Sequence, residues 1–361
     1  MSEPVRVLVI DDSALMRKLI PQIIERDSSI QVVGTAMDGE FGLKKIEELK
    51  PQVITLDLEM PRMDGMETLK QIMRRYKIPV IMVSSQTTDG ATSTFKALAL
   101  GAIDFVAKPR DAASAKMDEI AVELTTKIKA AAKTKLDHTT QNILEPTRVN
   151  KPLVKPKIAP TKVVAIGIST GGPNALQYML SQLPGDFPGS IVVVQHMPEG
   201  FTDMFARRLD ECCAIDVKEA QSGDMIVAGR ALICPGNRHM RVRRMSLGNM
   251  VVLSDEERVN GHRPAVDVLF QSAASEFGSQ AIGLIMTGMG EDGAEGLGVM
   301  KRAGAITIAQ NEESCVVFGM PKAAIERGYA QRVVSLELLA NTLTAQCALP
   351  KAKHVVSGSP A

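Results

Sequence analysis

Aromatic side chains are scarce in this sequence, and net charge is almost absent. Aromatic residues make up 3% of the 361 residues, tryptophan is missing, and the formal net charge at pH 7 is +1. Proteins that bind nucleic acids stack bases on aromatic rings or attract phosphates with clustered positive charge. The composition therefore argues against a nucleic-acid partner.

Paired cysteines and long apolar segments are also lacking. Of the five cysteines only Cys212 and Cys213 are close in sequence, and none has the paired spacing of a metal site. This pattern favours a reducing compartment without structural disulfides. No segment is long enough to span a membrane, and Asp11-Asp12 interrupts the first apolar run, unlike a secretory signal. We therefore expect a cytoplasmic protein that is not inserted in a membrane.

The sequence does contain two series of short apolar strands that alternate with helical patterns. At roughly 100–200 residues per domain, its length favours two domains. The first series consists of residues 5–10, 31–36, 53–56, 80–83 and 105–107. Buried strands that alternate with helices predict a parallel sheet covered on both faces. We place the first α/β domain at residues 1–110.

A different pattern separates the two series. Met117, Ile120, Leu124 and Ile128 form one helical stripe that predicts a helix packed on the first domain. Closely spaced prolines then predict an extended linker, so residues 111–160 are assigned to helix and linker. Strands resume at 162–168, 191–194, 231–234, 250–253, 282–286 and 306–309, and the polar, basic surroundings of 250–253 also fit one half of a hairpin. A second, doubly wound α/β domain is thus expected at 161–349, followed by a disordered tail at 350–361.

Acidic residues follow two strands of the first domain. Asp11, Asp12 and Asp57 stand at strand carboxyl ends, and these ends meet at one edge of a parallel sheet. A cluster of three carboxylates needs a hard divalent cation, and Mg²⁺ prefers such oxygen ligands. An aspartate beside that cation is a competent nucleophile toward a phosphoryl donor.

Two further strand ends carry residues suited to a phosphoryl group. Ser84 can donate a hydrogen bond to it, and Lys108 can neutralise its charge. The order Asp-Asp, Asp, Ser, Lys-Pro, with 56–65 reading LDLEMPRMDG, resembles the receiver domain of two-component response regulators. The resemblance implies a flavodoxin-like fold, with Asp57 as phosphoacceptor and Ser84 and Lys108 as switch residues. It also implies that Asp11, Asp12 and Asp57 hold Mg²⁺.

The second domain begins with a glycine-rich turn. Residues 167–173 read GISTGGP and follow a strand. A serine on a tight strand-to-helix turn is exposed, and helix N–H groups can stabilise an oxyanion. Taken alone, the turn fits a structural or ligand-binding role better than it fits a nucleophile. Its spacing does not match a dinucleotide-binding motif.

Two other residues strengthen the case for Ser169 as a nucleophile. His196 ends the next strand, and Asp292 follows a later one. Residues at the carboxyl ends of such strands converge, and Ser, His and Asp supply nucleophile, base and orienting acid. The chain order differs from that of α/β-hydrolases. We interpret His239 and His262, which lie near arginines, as substrate-contacting or surface residues.

Several segments of the second domain resemble the chemotaxis protein-glutamate methylesterase family. They are 169–172 (STGG), 195–198 (QHMP), 287–293 (TGMGEDG) and 318–321 (FGMP). The resemblance implies a catalytic triad of Ser169, His196 and Asp292. It also implies that Thr170 lies beside the nucleophile and that the backbone near Met289 contributes to the oxyanion site.

The family implies an activity and its regulation. Ser169 would attack a glutamate methyl ester of a chemoreceptor, without a cofactor, and methanol would leave. Family members also deamidate glutamines, and the sequence leaves open whether this chain does. The expected partners are a chemotaxis histidine kinase as phosphodonor and methyl-accepting chemoreceptors as substrates. We hypothesise that the unphosphorylated receiver covers the Ser169 crevice and that phosphorylation shifts the population toward an open form.

Three other interpretations compete with this one. A hydrolase or amidase for a small molecule would carry the same three residues, and its preference for small esters would distinguish it. An output domain that only binds a partner is disfavoured by the presence of Ser169, His196 and Asp292. A DNA-binding output would need a basic domain or a helix-turn-helix pattern, and neither follows the linker.

Overall fold

The computed structural model describes residues 3–85, 88–108, 114–134, 159–246 and 248–348. The predicted Pro-rich linker and the predicted tail at 350–361 lie outside these residues, except for positions 159 and 160 of the linker. Both expectations therefore stay predictions.

The first half of the chain forms a five-stranded sheet in the order β2-β1-β3-β4-β5. All four strand pairs are parallel. The strands are β1 (Val5–Ile10), β2 (Ile30–Ala36), β3 (Val53–Asp57), β4 (Val80–Ser84) and β5 (Asp104–Ala107). This is the flavodoxin-like order, in which ligands bind at the carboxyl edge of the central strands.

Helices cover both faces of this sheet, because most strand residues are apolar and buried. The helices are α1 (Ala14–Ile24), α2 (Gly39–Leu49), α3 (Gly65–Arg75), α4 (Thr88–Ala99) and α5 (Ser114–Ala131). Leu124 and Ile128 of α5 are buried in the core on one face of the sheet. Ile120, Leu124 and Ile128 of the predicted stripe therefore pack on the first sheet.

The second half forms a seven-stranded sheet in the order β14-β13-β12-β6-β7-β9-β8, with every pair parallel. Its strands are β6 (Val163–Ile168), β7 (Ser190–Gln195), β8 (Asp216–Glu219), β9 (Arg230–Ile233), β12 (Ala281–Ile285), β13 (Ile306–Gln310) and β14 (Arg332–Val334). An antiparallel hairpin, β10 (His239–Met245) and β11 (Gly248–Ser254), stands apart from it. The predicted α/β class with a mainly parallel second sheet is confirmed.

Six helices pack around this sheet among the described residues. They are α6 (Gly172–Ser181), α7 (Thr202–Cys212), α8 (Val266–Phe277), α9 (Ala294–Arg302), α10 (Met320–Glu326) and α11 (Leu336–Cys347). The topology places β6 at the centre, between β7 and β12. The three predicted catalytic residues follow these three neighbouring strands, so the order of the sheet already brings them to one edge.

The two sheets are joined by an aromatic contact between their helical layers. Phe95 of α4 stacks on Phe205 of α7 with ring centroids 5.5 Å apart. Phe105 of β5 lies 4.6 Å from Phe201, which precedes α7. All four rings are buried. The first unit therefore packs on the second close to the segment that follows His196.

Candidate active site and phosphoacceptor pocket

Ser169 lies on the turn between β6 and α6. Its backbone N–H donates to the Thr287 carbonyl at 3.0 Å, which ties the turn to the segment after β12. Gly171 has a φ of 73°, a left-handed conformation that glycine adopts without steric cost. A Cβ there would also lie 2.5 Å from Cβ of Val316. Glycine at this position therefore allows both the sharp turn and the close packing behind it.

The register of two neighbouring strands brings His196 next to Ser169. Ile168 and Gln195 are paired residues at the ends of β6 and β7, and the serine and histidine come directly after them. The Gln195 side-chain amide donates to the Ser169 carbonyl at 3.0 Å and to the His196 carbonyl at 3.1 Å. One buried side chain thus ties together the backbones of the predicted nucleophile and base.

The imidazole of His196 has one engaged and one free nitrogen. Nε2 lies 2.8 Å from Oδ2 of Asp292. Nδ1 is buried and has no hydrogen-bond partner among the described residues. Because a carboxylate accepts but does not donate, we assign the proton to Nε2. Nδ1 then carries the lone pair that can take a proton.

The carboxylate of Asp292 is saturated with donors. Besides His196, it accepts from the backbone N–H of Val266 at 2.7 Å and of Asp267 at 3.3 Å, and from the Asn260 amide at 2.9 Å. Val266 begins α8, so the carboxylate caps that helix from outside and gains from its dipole. Burial acts to raise the pKa of Asp292, but the histidine and these donors outweigh it and hold the pKa at about 2.

Thr170 and Met289 lie on either side of the nucleophile. Thr170 is buried, and its carbonyl accepts from the Thr287 hydroxyl at 3.0 Å. Met289 is half-buried and follows Gly288, where an added Cβ would lie 2.8 Å from Cβ of Ser169. The structure therefore brings both segments to the nucleophile, while their role at an oxyanion stays a prediction.

The three acids of the first sheet also come together. Asp11, Asp12 and Asp57 offer carboxylate oxygens that all lie within 4.8 Å of one another. The ammonium of Lys108 lies 2.7 Å from Oδ2 of Asp57 and 3.1 Å from Oδ2 of Asp11. Asp11 and Asp57 are buried, and Asp12 is exposed. One cation thus faces two buried carboxylates.

These charges suit a divalent cation. Burial raises the pKa of Asp57 to about 6, because Lys108 offsets only part of the cost of a buried charge. A second positive charge would stabilise the ionised form of all three acids. Hard carboxylate oxygens in this number fit Mg²⁺. The residues present therefore fit the predicted ion.

Ser84 and Lys108 lie at the ends of neighbouring strands, and the Lys108 N–H donates to the Ser84 carbonyl at 2.7 Å. The buried Ser84 hydroxyl is hydrogen-bonded to residues of α4. It accepts from Thr94 Oγ1 at 2.7 Å and donates to the Gly90 carbonyl at 3.2 Å. The structure thus brings Lys108 to the acids, and it engages the Ser84 hydroxyl with α4.

Comparison with known proteins assigns each half of the chain to a family of domains. Residues 164–343 match the CheB methylesterase family, and residues 7–117 match the response regulator receiver domain. "Protein-glutamate methylesterase/protein-glutamine glutaminase 2" of Koribacter versatilis is 60% identical over 96% of this chain and 97% of its own. This chain belongs to the CheB methylesterase family.

More distant relatives agree with this assignment. A "Protein-glutamate methylesterase/protein-glutamine glutaminase" of Halalkalibacterium halodurans is 46% identical over 96% of this chain and 99% of its own. The crystal structure of the Thermotoga maritima CheB methylesterase catalytic domain is 42% identical, with a TM-score of 0.50. It covers 51% of this chain and 97% of that domain. The similarity therefore includes the fold of the second domain.

Two further histidines of this CheB-family chain were predicted to contact substrate or to lie at the surface. His239 is fully buried: its Nε2 lies 2.9 Å from the Glu257 carbonyl, and its Nδ1 accepts from Ala265 N–H at 3.3 Å. His262 stacks on His196 with ring centroids 3.9 Å apart and planes within 7°. The surface interpretation was wrong for His239, and His262 contacts the predicted catalytic base. The neighbouring arginines in the sequence had suggested an exposed position for both histidines.

The arginine-rich segment 238–244 contains most of strand β10, in which Arg243 and Arg244 are exposed. Within β10, Met240 and Val242 are buried, while Arg241 pairs with Glu256 at 2.5 Å. Arg238, just before the strand, pairs with Asp255 at 2.9 Å.

Among the described residues, no helix has the length and apolar character needed to cross a bilayer.

Proposed function

We propose that this chain hydrolyses glutamate methyl esters on chemoreceptor cytoplasmic domains and that phosphorylation of Asp57 activates it. The observation that carries the proposal is the bond between His196 and Asp292, formed beside the turn that bears Ser169. Nucleophile, base and orienting acid thereby follow three adjacent strands. Acyl transfer uses a serine next to such a His–Asp pair, with the open nitrogen of the histidine as the base.

In the proposed first half-reaction, Nδ1 of His196 takes the proton of the Ser169 hydroxyl as its oxygen attacks the ester carbonyl. Asp292 keeps the other ring proton on Nε2 and stabilises the imidazolium that forms. When the tetrahedral intermediate collapses, the carbon–oxygen bond to the methoxy group breaks. The imidazolium returns its proton, so methanol leaves and an acyl-enzyme remains.

The second half-reaction uses the same groups in the same order. His196 takes a proton from water, the resulting nucleophile attacks the acyl-enzyme, and the Ser169 oxygen regains the proton as it leaves. A free glutamate carboxylate is released. A glutamine side chain would form the same acyl-enzyme with ammonia as leaving group, so deamidation is included in the proposal. No cofactor is needed for either half.

Backbone N–H groups near Thr170 and Met289 would stabilise the oxyanion. Both segments pack against Ser169, through the turn itself and through Gly288. Donors of this kind are preorganised, since they belong to tight turns tied to the sheet. The close approach at Gly288 leaves no space for a side chain next to the Cβ of Ser169.

Activation is proposed to begin at the acidic pocket. Asp11, Asp12 and Asp57 would hold Mg²⁺, which neutralises charge on an incoming phosphoryl group. A carboxylate oxygen of Asp57 bonds to phosphorus as the bond between phosphorus and the donor's histidine breaks, and that histidine leaves as the free imidazole. Lys108, already 2.7 Å from that carboxylate, then pairs with the phosphoryl oxygens. Reorientation of Ser84 away from α4 would add a hydrogen bond.

Contacts between the two domains support the covering hypothesis. The Asn174 amide of α6 donates to the Leu98 carbonyl of α4 at 2.9 Å. On the other flank, the Thr134 hydroxyl donates to the Val316 carbonyl at 3.2 Å, and Val316 packs behind Gly171. The α4 helix of the receiver thus contacts α6, and the segment after α5 contacts the residue that packs behind the turn bearing Ser169. Movement of α4 on phosphorylation would loosen one of these contacts.

The partners follow from the two domains. A chemotaxis histidine kinase is the proposed phosphodonor, methyl-accepting chemoreceptors are the proposed substrates, and the cytoplasm is the proposed location. No nucleic acid is needed for either reaction. The same site on a small-molecule hydrolase would release product from generic small esters at least as fast as from methylated receptor.

The test is methanol release from methylated receptor by wild type and Ser169→Ala, each with and without Mg²⁺ and a small phosphodonor. We expect release by wild type, stimulation by the donor, and loss of both in the variant. Release that persists in Ser169→Ala would reject the nucleophile. Deletion of residues 1–150 tests the covering: basal release should rise, and an unchanged or lower rate would reject that part.

A further inference from the structure

One side chain near the triad is not accounted for by the reaction as proposed. Asn260 lies in the loop between β11 and α8, and its amide nitrogen contacts two buried carboxylates. It is 2.9 Å from Oδ1 of Asp292 and 2.7 Å from Oδ2 of Asp267. The rest of the residue is exposed. The amide therefore reaches inward from the surface to the acid of the triad.

The two oxygens of Asp292 have separate partners. Oδ2 faces His196 and the Val266 N–H, whereas Oδ1 faces Asn260 and the Asp267 N–H. The two backbone donors belong to α8 and could hold a carboxylate in more than one rotation. Asn260 adds a side-chain donor on the far oxygen, and this fixes which oxygen faces the imidazole.

The chemistry of this position is restrictive. Asp267 is also buried, and its other oxygen accepts from the Gly296 N–H at 2.6 Å. A primary amide has two N–H groups and no charge, so it can donate to both acids at once. An aspartate in the same place would add a third negative charge, and a glycine would leave both oxygens without this donor.

The turn that carries Asn260 holds it rigidly. Val259 and His262 exchange backbone bonds of 3.1 and 2.9 Å, which closes a two-residue turn. Asn260 and Gly261 have φ values of 54° and 78°, as in a type I′ turn, for which Asn-Gly is strongly preferred. The same turn places His262 on the ring of His196. One turn thus contacts both members of the His–Asp pair.

We propose that Asn260 is a positioning residue of the triad, whose amide bridges Asp292 and Asp267 and so holds the carboxylate that orients His196. This inference rests on the proposed function for its kinetic consequence. A competing explanation is that asparagine is present only because the turn favours it. The two explanations differ in what they predict for substitutions that keep the turn.

Asn260→Gly and Asn260→Asp separate the two explanations, since both residues tolerate a positive φ. If the side chain positions Asp292, kcat for methylated receptor falls about tenfold in Asn260→Gly and further in Asn260→Asp, while KM stays unchanged. Asn237→Gly is the matched control. Asn237 is an exposed asparagine with a φ of 61° whose side chain contacts Arg263 rather than Asp292. We expect it to retain wild-type kcat.

A second readout needs no substrate. Nitrogen-15 NMR of the histidines in the full chain reports which ring nitrogen of His196 carries the proton. We expect one tautomer, protonated at Nε2, in wild type and Asn237→Gly, and a mixture in Asn260→Gly. Wild-type kcat and a single tautomer in Asn260→Gly would overturn the inference. If wild type releases no methanol but the tautomer still changes, the proposed function fails and the positioning role stands.

Discussion

Asp57 and Asp292 are two buried carboxylates with opposite electrostatic environments. Each is 2% exposed and lies at the carboxyl side of a parallel sheet. Burial raises the pKa of Asp57 to about 6, whereas the pKa of Asp292 is held at about 2 in spite of burial. The depth of burial therefore does not decide the charge state. The number of donors around each carboxylate does.

The difference matches the chemistry expected of each residue. Asp57 has Lys108 as its cation but also Asp11 as a like charge, so its ionised form is stabilised incompletely. Such a carboxylate can gain stabilisation from a metal ion and react with a phosphoryl group. Both carboxylate oxygens of Asp292 already accept hydrogen bonds, so a further donor or cation would add little to the stability of its ionised form. It is suited to orient a base without reacting.

The largest expected effect comes from neutralising the saturated carboxylate. In Asp292→Asn the amide cannot accept the His196 ring proton in the same way, so the imidazole adopts the wrong tautomer. We expect kcat for methanol release to fall about 10⁴-fold, as for the equivalent change in other triads. Steady-state kinetics with methylated receptor measures this. A loss of less than tenfold would show that Asp292 does not orient the base.

The sequence predicted most of the fold and both sites, for a physical reason. Buried strands of a parallel sheet are continuous apolar runs, and their carboxyl ends meet, so the apolar runs alone place Asp57 and Ser169 at sheet edges. Strands β8 and β14 went unpredicted because both are short edge strands: β8 is mostly polar, and β14 has three residues. β10 went unpredicted because its arginines masked an alternation of buried Met240 and Val242.

The contacts of Asn260 and His262 were missed for another reason. Both residues lie in the loop between β11 and α8. The position of that loop against His196 and Asp292 is set by long-range packing, which the periodicity of the sequence does not reveal. The available signal was the Asn260-Gly261 pair, which is typical of a two-residue turn. It predicts the turn but not its neighbours. Local sequence patterns thus identified the candidate catalytic residues that follow strands. The residues that contact them, Asn260 and His262, are brought there by tertiary packing.

The half-buried His262 has a pKa that burial shifts in the opposite direction to that of Asp57. Burial, together with the neighbouring His196, lowers the pKa of His262 to about 4. The unfolded chain binds a proton near pH 6.5 and the folded one does not, so the folded state loses stability as the pH falls from 6.5 toward 4. The free energy of unfolding should be lower by about 2 kcal/mol at pH 4.5 than at neutral pH because of His262. This value is already reduced for the partial exposure of His262.

Urea unfolding of wild type and His262→Phe at pH 7.0, 5.5 and 4.5 tests this. Phenylalanine keeps the ring but cannot be protonated, and all carboxylates titrate alike in both proteins. The wild type should therefore lose more stability on acidification than the variant. Parallel pH dependences in the two proteins would mean that His262 is protonated in the folded state.

The same substitution at the two carboxylates should change stability in opposite directions. Asp57→Asn removes one charge from a cluster of three acids, so without Mg²⁺ at pH 7.5 we expect the free energy of unfolding to rise by about 1–2 kcal/mol. Asp292→Asn places an amide against the Val266 and Asp267 N–H groups. It should lower the free energy of unfolding by about 1–2 kcal/mol. Shifts of the same sign would contradict the account based on donors.

The smallest expected effect concerns the ring that covers the triad base. His262 lies flat on His196, with ring centroids 3.9 Å apart, so it limits the rotation of that imidazole. His262→Phe retains a ring and should keep kcat within about twofold of wild type, whereas His262→Ala should lower it about fivefold. Wild-type kcat in both variants would assign no role to stacking. A loss in His262→Phe as large as in His262→Ala would show instead that the His262 nitrogens matter, as they would if His262 contacted the substrate.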